Sequence, residues 1–579
     1  MKPTEKSGIN RRIHWVGAFF VCLFLIIIWK TIYLQVFQGQ WLSRLAAGEY
    51  EKTLTIRGKR GTIFDRNLRE MAVSVDAASI AAYPRFIREP GAVATALAEV
   101  LNLNRAALLR KITSDRTFVW IKRQSAPSEE RAIRALGLKG VDFIPEHTRY
   151  YPNRYLAAQL LGFTGIDSRG LEGLEYYFND ELTGTERSFT VLKDALGKKF
   201  DGDNAAEGVY RGNDLVLTID RTIQFITEKA LGEAVADFNA KSGLAVVMAP
   251  KTGAILAMAN FPLFNPNAFR RYDRELWRNR IITDPFEPGS TMKIFSAAAA
   301  IESGGCTPNT IFYCENGKYR IGREVVHDTR SHGWLSLNMI IKYSSNIGAV
   351  KVSEMIGAEA LHRTFRNFGF GEKTGLTCPA ETSGSLSPYQ RWSRIDTGVI
   401  SFGHGMSVSA LQLAAAVAAI ANDGVLMKPY VVQEIRGRDG EPIQQYHPRE
   451  VRQAVSPQTA ETVKKMMASV VEPEGTGVRA ALDGYTVCGK TGTAQKLNEA
   501  GEYARDAYVG SFVGFVPAED PQIAILVVID ELPYGSYGGT VAAPTFRNIA
   551  RETLNYLNIP AGPGVDRITA GRHRVEVNG

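Results

Sequence analysis

Cysteine is scarce in this chain: five among 579 residues, Cys22, Cys306, Cys314, Cys378 and Cys488, with no C-x-x-C pair. An odd count without paired spacing argues against a zinc site and against a disulfide framework. Cys306 and Cys314 are near enough in sequence to bridge in an oxidising compartment, but spacing alone leaves that open. The eight histidines form no H-E-x-x-H or related cluster. A metalloenzyme therefore has little support, and no cofactor is expected. There is no internal repeat, and no second long apolar run follows the amino-terminal one, so a single-pass protein is expected.

What is present is ordinary for a folded protein: 22% charged and 45% hydrophobic residues. The length exceeds one compact core and suggests three or four units of about 100–200 residues. The net charge of +8 suits an anionic membrane or wall surface. It fits nucleic acid equally well, so charge alone discriminates weakly.

Ile13 to Leu34 is mostly apolar, and Val16 to Trp29 carries no charge. With Lys30 snorkelling and Trp15, Trp29 and Tyr33 at interfacial positions, this reaches roughly 20 residues, enough for one bilayer crossing. Lys2, Lys6, Arg11 and Arg12 precede it against a single acid, Glu5. The positive-inside rule therefore places residues 1–12 in the cytoplasm and the rest outside. Bulky Ile32, Tyr33 and Leu34 stand where a cleavage site would need small residues, which favours a retained anchor over a signal peptide.

Residues 35–55 read as a juxtamembrane helix, with Trp41, Leu42, Leu45 and Ala46 along one side. From 56 to 215 short strands mix with helices such as Val93–Leu101 and Arg105–Ile112. After 216 the composition shifts: Asp214–Asp220 reads as a strand, Gln224–Val235 as a helix, and Leu244–Pro250 with Ala254–Ala259 as a hairpin around Lys251. Tyr508–Val516 and Ile523–Ile529 read as an antiparallel pair punctuated by Pro517 and Pro521. Pro544–Leu557 reads as a closing helix, and the tail to 579 as loose. Strands at both ends with helices between them predict an α+β domain.

Ser290-Thr291-Met292-Lys293 follows Pro288-Gly289 and precedes an alanine-rich stretch, so Ser290 is expected at a helix start. Spacing i, i+3 puts Ser290 and Lys293 side by side, and free N–H groups there favour negative charge. A serine hydroxyl needs a base to take its proton, and a buried lysine can serve. Roughly two S-x-x-K matches are expected by chance in a chain this long, so the motif is weak by itself. S-x-N occurs at Ser336-Leu337-Asn338 and Ser344-Ser345-Asn346, and K-T-G at Lys251, Lys373 and Lys490. Lys251 precedes Ser290, and Lys373 sits in a glycine-rich loop. Lys490-Thr491-Gly492-Thr493 has strand character, and Gly492 permits close approach of a substrate backbone.

The trio Ser290-x-x-Lys293, Ser344-x-Asn346 and Lys490-Thr491-Gly492 resembles the signature of penicillin-binding proteins and serine β-lactamases. Arg60-Gly61-Thr62-Ile63-Phe64-Asp65-Arg66-Asn67 resembles the opening motif of class B penicillin-binding proteins. Arg149-Tyr150-Tyr151-Pro152 and Gly170-Leu171-Glu172-Gly173-Leu174-Glu175 resemble their next two blocks, and Tyr537-Gly538-Gly539 their last. The resemblance also selects Ser344 over Ser336. Phe286 to Ser290 and Met71 to Val75 are similar to the division-specific FtsI branch. No wall-binding repeat follows Leu557.

The resemblance implies a single transmembrane helix at 13–34, a pedestal of dimerisation type at 56–215, a penicillin-binding transpeptidase domain at 216–557 with an antiparallel sheet flanked by helices, and a tail at 558–579. It implies an inner-membrane enzyme of septal wall synthesis that cross-links D-Ala-D-Ala stem peptides through an acyl-serine. In that scheme Ser290 is the nucleophile, Lys293 its base, and Ser344 with Lys490 a proton relay. Asn346 holds the donor amide, Thr491 and Thr493 bind the terminal carboxylate with Lys490 supplying positive charge, Gly492 belongs to the substrate-binding strand, and the Ser290 and Thr493 amides form the oxyanion hole. Implied partners are peptidoglycan stem peptides, lipid-linked precursor strands, an FtsW-type glycosyltransferase, other division proteins, and β-lactams as covalent inhibitors. Nucleic acid is not among them. Arg60 and Asp65 are expected to be structural, and His404 a loop residue beside the site. Rival readings are an elongation-type transpeptidase, a β-lactam hydrolase or sensor, and an idle scaffold. Residues 36–215 show no glycosyltransferase site.

Overall fold

The computed structural model describes residues 3–40, 51–184, 186–192, 211–497, 503–533 and 537–561. Two compact units emerge: 1–58 with 185–210, and 59–184 with 211–579.

The first unit holds a helix, Pro3–Ile32, continued by a π-helical turn, Tyr33–Phe37. The stretch Ile13–Phe37 is long and apolar enough to cross a membrane: 25 residues rise about 37 Å against about 30 Å of hydrocarbon. Trp29, Tyr33 and Phe37 recur at i, i+4, with successive ring centroids 6.4 and 5.8 Å apart. The expected juxtamembrane helix does not extend to residue 55. Glu51–Arg57 is a strand, antiparallel to Glu186–Leu192. Thr53, Thr55 and Ile56 are β-branched and favour that outcome once a partner strand is available. Trp41, Leu42, Leu45 and Ala46 lie outside the described residues.

The second unit is α+β. Its seven-stranded sheet runs Pro442–Gln445, Val432–Arg436, Asp214–Leu217, Ile63–Phe64, Glu70–Ala82 and Val119–Ser125, with Val141–Tyr150 also paired to the long strand Glu70–Ala82. Ile63–Phe64 runs parallel to Leu215–Val216. One sheet therefore joins residues early in the chain to strands beyond 430. The helices Pro90–Leu101 and Arg105–Ile112 close a small core over it.

Three of the sequence blocks meet in a buried ionic cluster. Arg60 Nε donates to Glu175 Oε2 and Arg149 Nε to Glu175 Oε1, both at 2.6 Å. Arg60 Nη2 also donates to the Glu175 carbonyl and Arg149 Nη1 to that of Gly61. Arg60 is 2% exposed and Glu175 0%. Burial pushes the Glu175 carboxyl up, but the Arg149 and Arg60 guanidiniums outweigh it and hold it below its ordinary value. Asp65 accepts from the amides of Asn67, Arg69 and Arg221, so it pins a turn to the start of the helix Arg221–Asp237. Arg60 and Asp65 are structural, as expected.

The second sheet has five antiparallel strands in the order Cys488–Leu497, Tyr503–Val516, Ile523–Leu532, Ser242–Met248, Ile255–Phe261. Both faces are covered, which is why Ile523–Leu532, Ser242–Met248 and Ile255–Phe261 read as nearly continuous apolar runs. Leu244, Val246, Ala524, Leu526 and Val528 pack toward the helices Lys293–Glu302 and Ala410–Ala421. The alternate residues Ala245, Val247, Ile525, Val527 and Ile529 face Arg221–Asp237 and Gly538–Tyr556. Cys488–Leu497 is left as an edge strand, and it carries the Lys490 motif.

Candidate active site

Ser290 lies in a 3-10 turn, Gly289–Met292, that runs straight into the helix Lys293–Glu302. The expectation of a plain helix start was close; the tighter turn eclipses residues i and i+3. That brings Lys293 Nζ to 3.0 Å from Ser290 Oγ. Gly289 has φ +56° and its amide donates to the Gly403 carbonyl, so glycine is needed to turn the chain just before the serine.

Ser344 occupies the junction of two helices, Leu337–Tyr343 and Asn346–Asn367, in the left-handed region at φ 61°. The capping duty falls to its neighbour: Ser345 Oγ accepts from the Gly348 amide. Ser344 Oγ is thereby left to face the cleft, 3.2 Å from Lys293 Nζ and 2.9 Å from Lys490 Nζ. Lys293 also donates to the Ser344 carbonyl and to Asn346 Oδ1, each at 2.7 Å. Asn346 Nδ2 donates to the His327 carbonyl, which fixes the amide orientation.

Lys293 and Lys490 are both fully buried. Burial brings the Lys293 ammonium down to about 7, with the Asp328 carboxylate pulling the other way. Burial, and then the Lys293 charge, holds Lys490 well below its ordinary value. Two ammonium groups sharing one hydroxyl in a dry cleft favour loss of a proton. Burial and the Lys293 charge also bring His404 down to about 4, so it is neutral near pH 7.

The remaining motif residues lie along the edge strand. Thr491 Oγ1 donates to Thr476 Oγ1 at 3.0 Å, and Thr493 Oγ1 accepts from the Gly538 amide at 3.1 Å. At Gly492 a Cβ would stand 2.2 Å from Ser511 Oγ and 2.9 Å from Thr291 Cγ2. Only glycine lets the strand lie this close to the nucleophile turn.

Sequence reasoning missed Asp328 and Thr476. Asp328 accepts from Ser345 Oγ at 2.6 Å and from the Asn346 and Ile347 amides. It thus seats the start of the helix that carries Asn346. Neither residue belongs to a motif, and only tertiary contact reveals them. The decoy motifs also find their places. Ser336 caps Leu337–Tyr343, Thr374 donates to Glu381, and Lys251 pairs with Asp520 in the hairpin turn. Cys306 and Cys314 are buried free thiols. Among the described residues no group of three or more His, Cys, Asp or Glu is placed to hold a metal.

Comparison with known proteins matches residues 243–551 to the penicillin binding protein transpeptidase domain and residues 55–217 to the penicillin-binding protein dimerisation domain. The probable peptidoglycan D,D-transpeptidase PenA of Neisseria gonorrhoeae is 36% identical over 96% of this chain and 94% of its own length. The peptidoglycan D,D-transpeptidase FtsI of Escherichia coli is 34% identical over 98% of this chain and 96% of its own. A crystal structure of penicillin binding protein 3 from Mycobacterium tuberculosis, complexed with aztreonam, is 30% identical and superposes with a TM-score of 0.69 over 88% of this chain and 98% of that one. Its pedestal, its transpeptidase domain and these full-length likenesses establish that the chain belongs to the penicillin-binding proteins, in the class B, FtsI-type branch.

Proposed function

We propose that this chain is a penicillin-sensitive peptidoglycan D,D-transpeptidase with Ser290 as its nucleophile, acting in septal wall synthesis. The observation that carries the reading is Lys293 Nζ at 3.0 Å from Ser290 Oγ, with Ser344 Oγ within hydrogen-bond reach of both lysines. Neutral Lys293 takes the Ser290 proton as Oγ attacks the penultimate D-Ala carbonyl. The Ser290 and Thr493 amides stabilise the oxyanion, an effect worth about 3–4 kcal/mol per donor. The C–N bond then breaks, and the proton passes through Ser344 to the leaving D-Ala. Asn346 holds the donor amide and orients Lys293. Thr491 and Thr493 hold the terminal carboxylate, and Gly492 lets the substrate backbone lie against the strand. An amine of a second stem peptide attacks the ester, forms the new amide and releases Ser290.

A hydrolase of this type needs a carboxylate free to activate water. Asp328, the carboxylate that acts on Lys293, is committed to three donors, which favours transfer over hydrolysis. Asp328 is also the first residue to test if penicillin turnover is seen. The amino-terminal helix anchors the chain once through the inner membrane, with residues 1–12 cytoplasmic and both the 56–215 pedestal and the 216–557 transpeptidase domain outside. An FtsW-type glycosyltransferase and other division proteins are the proposed membrane partners. Intact-mass analysis after exposure to labelled benzylpenicillin, followed by peptide mapping, tests the chemistry. One adduct on Ser290, absent in Ser290→Ala, is expected; an adduct elsewhere contradicts the assignment.

A further inference from the structure

The wall of the cleft that carries Ser344 ends in a two-stranded ribbon that the mechanism leaves unused. Lys318–Ile321 pairs antiparallel with Glu324–His327, and Lys318 lies directly opposite His327 and Arg320 opposite Val325. Alternation splits the ribbon into two faces. Tyr319 and Ile321 turn inward, where the Tyr319 hydroxyl meets Glu354 at 3.0 Å. Lys318, Arg320, Val325 and His327 stand exposed on the other face. Arg323 in the turn and Arg330 just beyond are exposed as well. Of the two carboxylates in this stretch, Glu324 and Asp328, the second is turned toward Ser345 and the Asn346 amide. Glu324, opposite Ile321, falls on the inward side by alternation, so the outer face and its turn present Lys318, Arg320 and Arg323, with Arg330 just beyond.

A basic surface is usually only a solvated one. This one differs by its attachment. The His327 carbonyl accepts from Asn346 Nδ2, and Asn346 Oδ1 accepts from Lys293 Nζ. Lys318, one cross-strand step of about 5 Å from His327, is thus rigidly linked to the group that activates the nucleophile. The opposite wall is the edge strand Cys488–Leu497, where a donor peptide would pair. That leaves the wall that carries Ser344 for a second peptide delivering its amine to the acyl-serine.

We infer that the outer face of the 318–327 ribbon is the acceptor subsite, where Lys318, Arg320 and Arg323 bind the carboxylates of the incoming stem peptide. The inference rests on the transpeptidase reading. In the step it serves, the acceptor nitrogen bonds to the ester carbon, the C–Oγ bond breaks, and the amine proton returns to Ser290 Oγ. Charge complementarity at such a rim raises encounter and sets orientation, and it weakens with salt.

The test uses the full chain in detergent micelles with a thioester donor and a synthetic stem-peptide acceptor, in wild type and in Lys318→Gln/Arg320→Gln. The substituted side chains are exposed, so folding is retained. Expected are a 5- to 20-fold rise in acceptor KM, a weaker salt dependence of that KM, and second-order acylation by benzylpenicillin within twofold of wild type. An acceptor with its side-chain carboxylates amidated should show the same KM in both proteins. An unchanged acceptor KM, or a parallel fall in acylation and transfer, overturns the inference. Failure of wild type to be acylated at Ser290 would instead overturn the underlying transpeptidase reading.

Discussion

Two of the buried charge clusters in the larger unit have opposite consequences. Around Glu175, two guanidiniums grip one carboxylate and every charge has a counterion. Around Ser344, two ammonium groups share one hydroxyl, and the carboxylate that acts on Lys293, Asp328, is bound to other donors. In the first cluster the partners outweigh desolvation and lock ionised side chains in place. In the second, desolvation wins and a lysine approaches neutrality at physiological pH. Burial with a counterion makes a structural joint; burial without one makes a base.

Substitutions that separate the two roles sharpen this contrast. Lys293→Ala should lower the second-order rate of penicillin acylation by about 100- to 10,000-fold, with little change in Tm because it removes an uncompensated charge. Arg60→Ala should do the reverse. It strands Glu175 against Arg149 alone and should cost about 3–5 kcal/mol in denaturant unfolding, while folded protein still acylates at near the normal rate. Asp328→Asn weakens the seat of the Asn346 helix and should slow acylation by about tenfold, the scale of one charged hydrogen bond. The smallest effect belongs to the decoy motif. Lys251 and Asp520 are 60% and 65% exposed, so Lys251→Ala should change stability by less than about 1 kcal/mol and leave acylation unchanged. Equal stability losses at Arg60 and Lys293 would break the comparison.

Much of this was legible in the sequence because each motif carries its own local geometry. Pro288-Gly289 before an alanine-rich run gave the nucleophile turn, and the strand character of Tyr485 to Cys488 separated Lys490 from the two decoys. The helices Pro90–Leu101 and Arg105–Ile112 were visible from periodicity. The strand Glu51–Arg57 was not, since its partner lies more than a hundred residues away at Glu186–Leu192. Asp328 and Thr476 were hidden for the same reason: each acts through a contact that chain spacing does not encode. The meeting of Arg60, Arg149 and Glu175 was likewise invisible, although each was flagged within its own block.

The most direct test is the pH dependence of the benzylpenicillin acylation rate constant between pH 5 and 9 in wild type. With the Lys293 ammonium at about 7, the neutral base grows as pH rises. The rate should climb with a midpoint near pH 7 and level off above pH 8. A rate that stays flat across that range, or falls as pH rises through 7, would contradict a neutral lysine as the base.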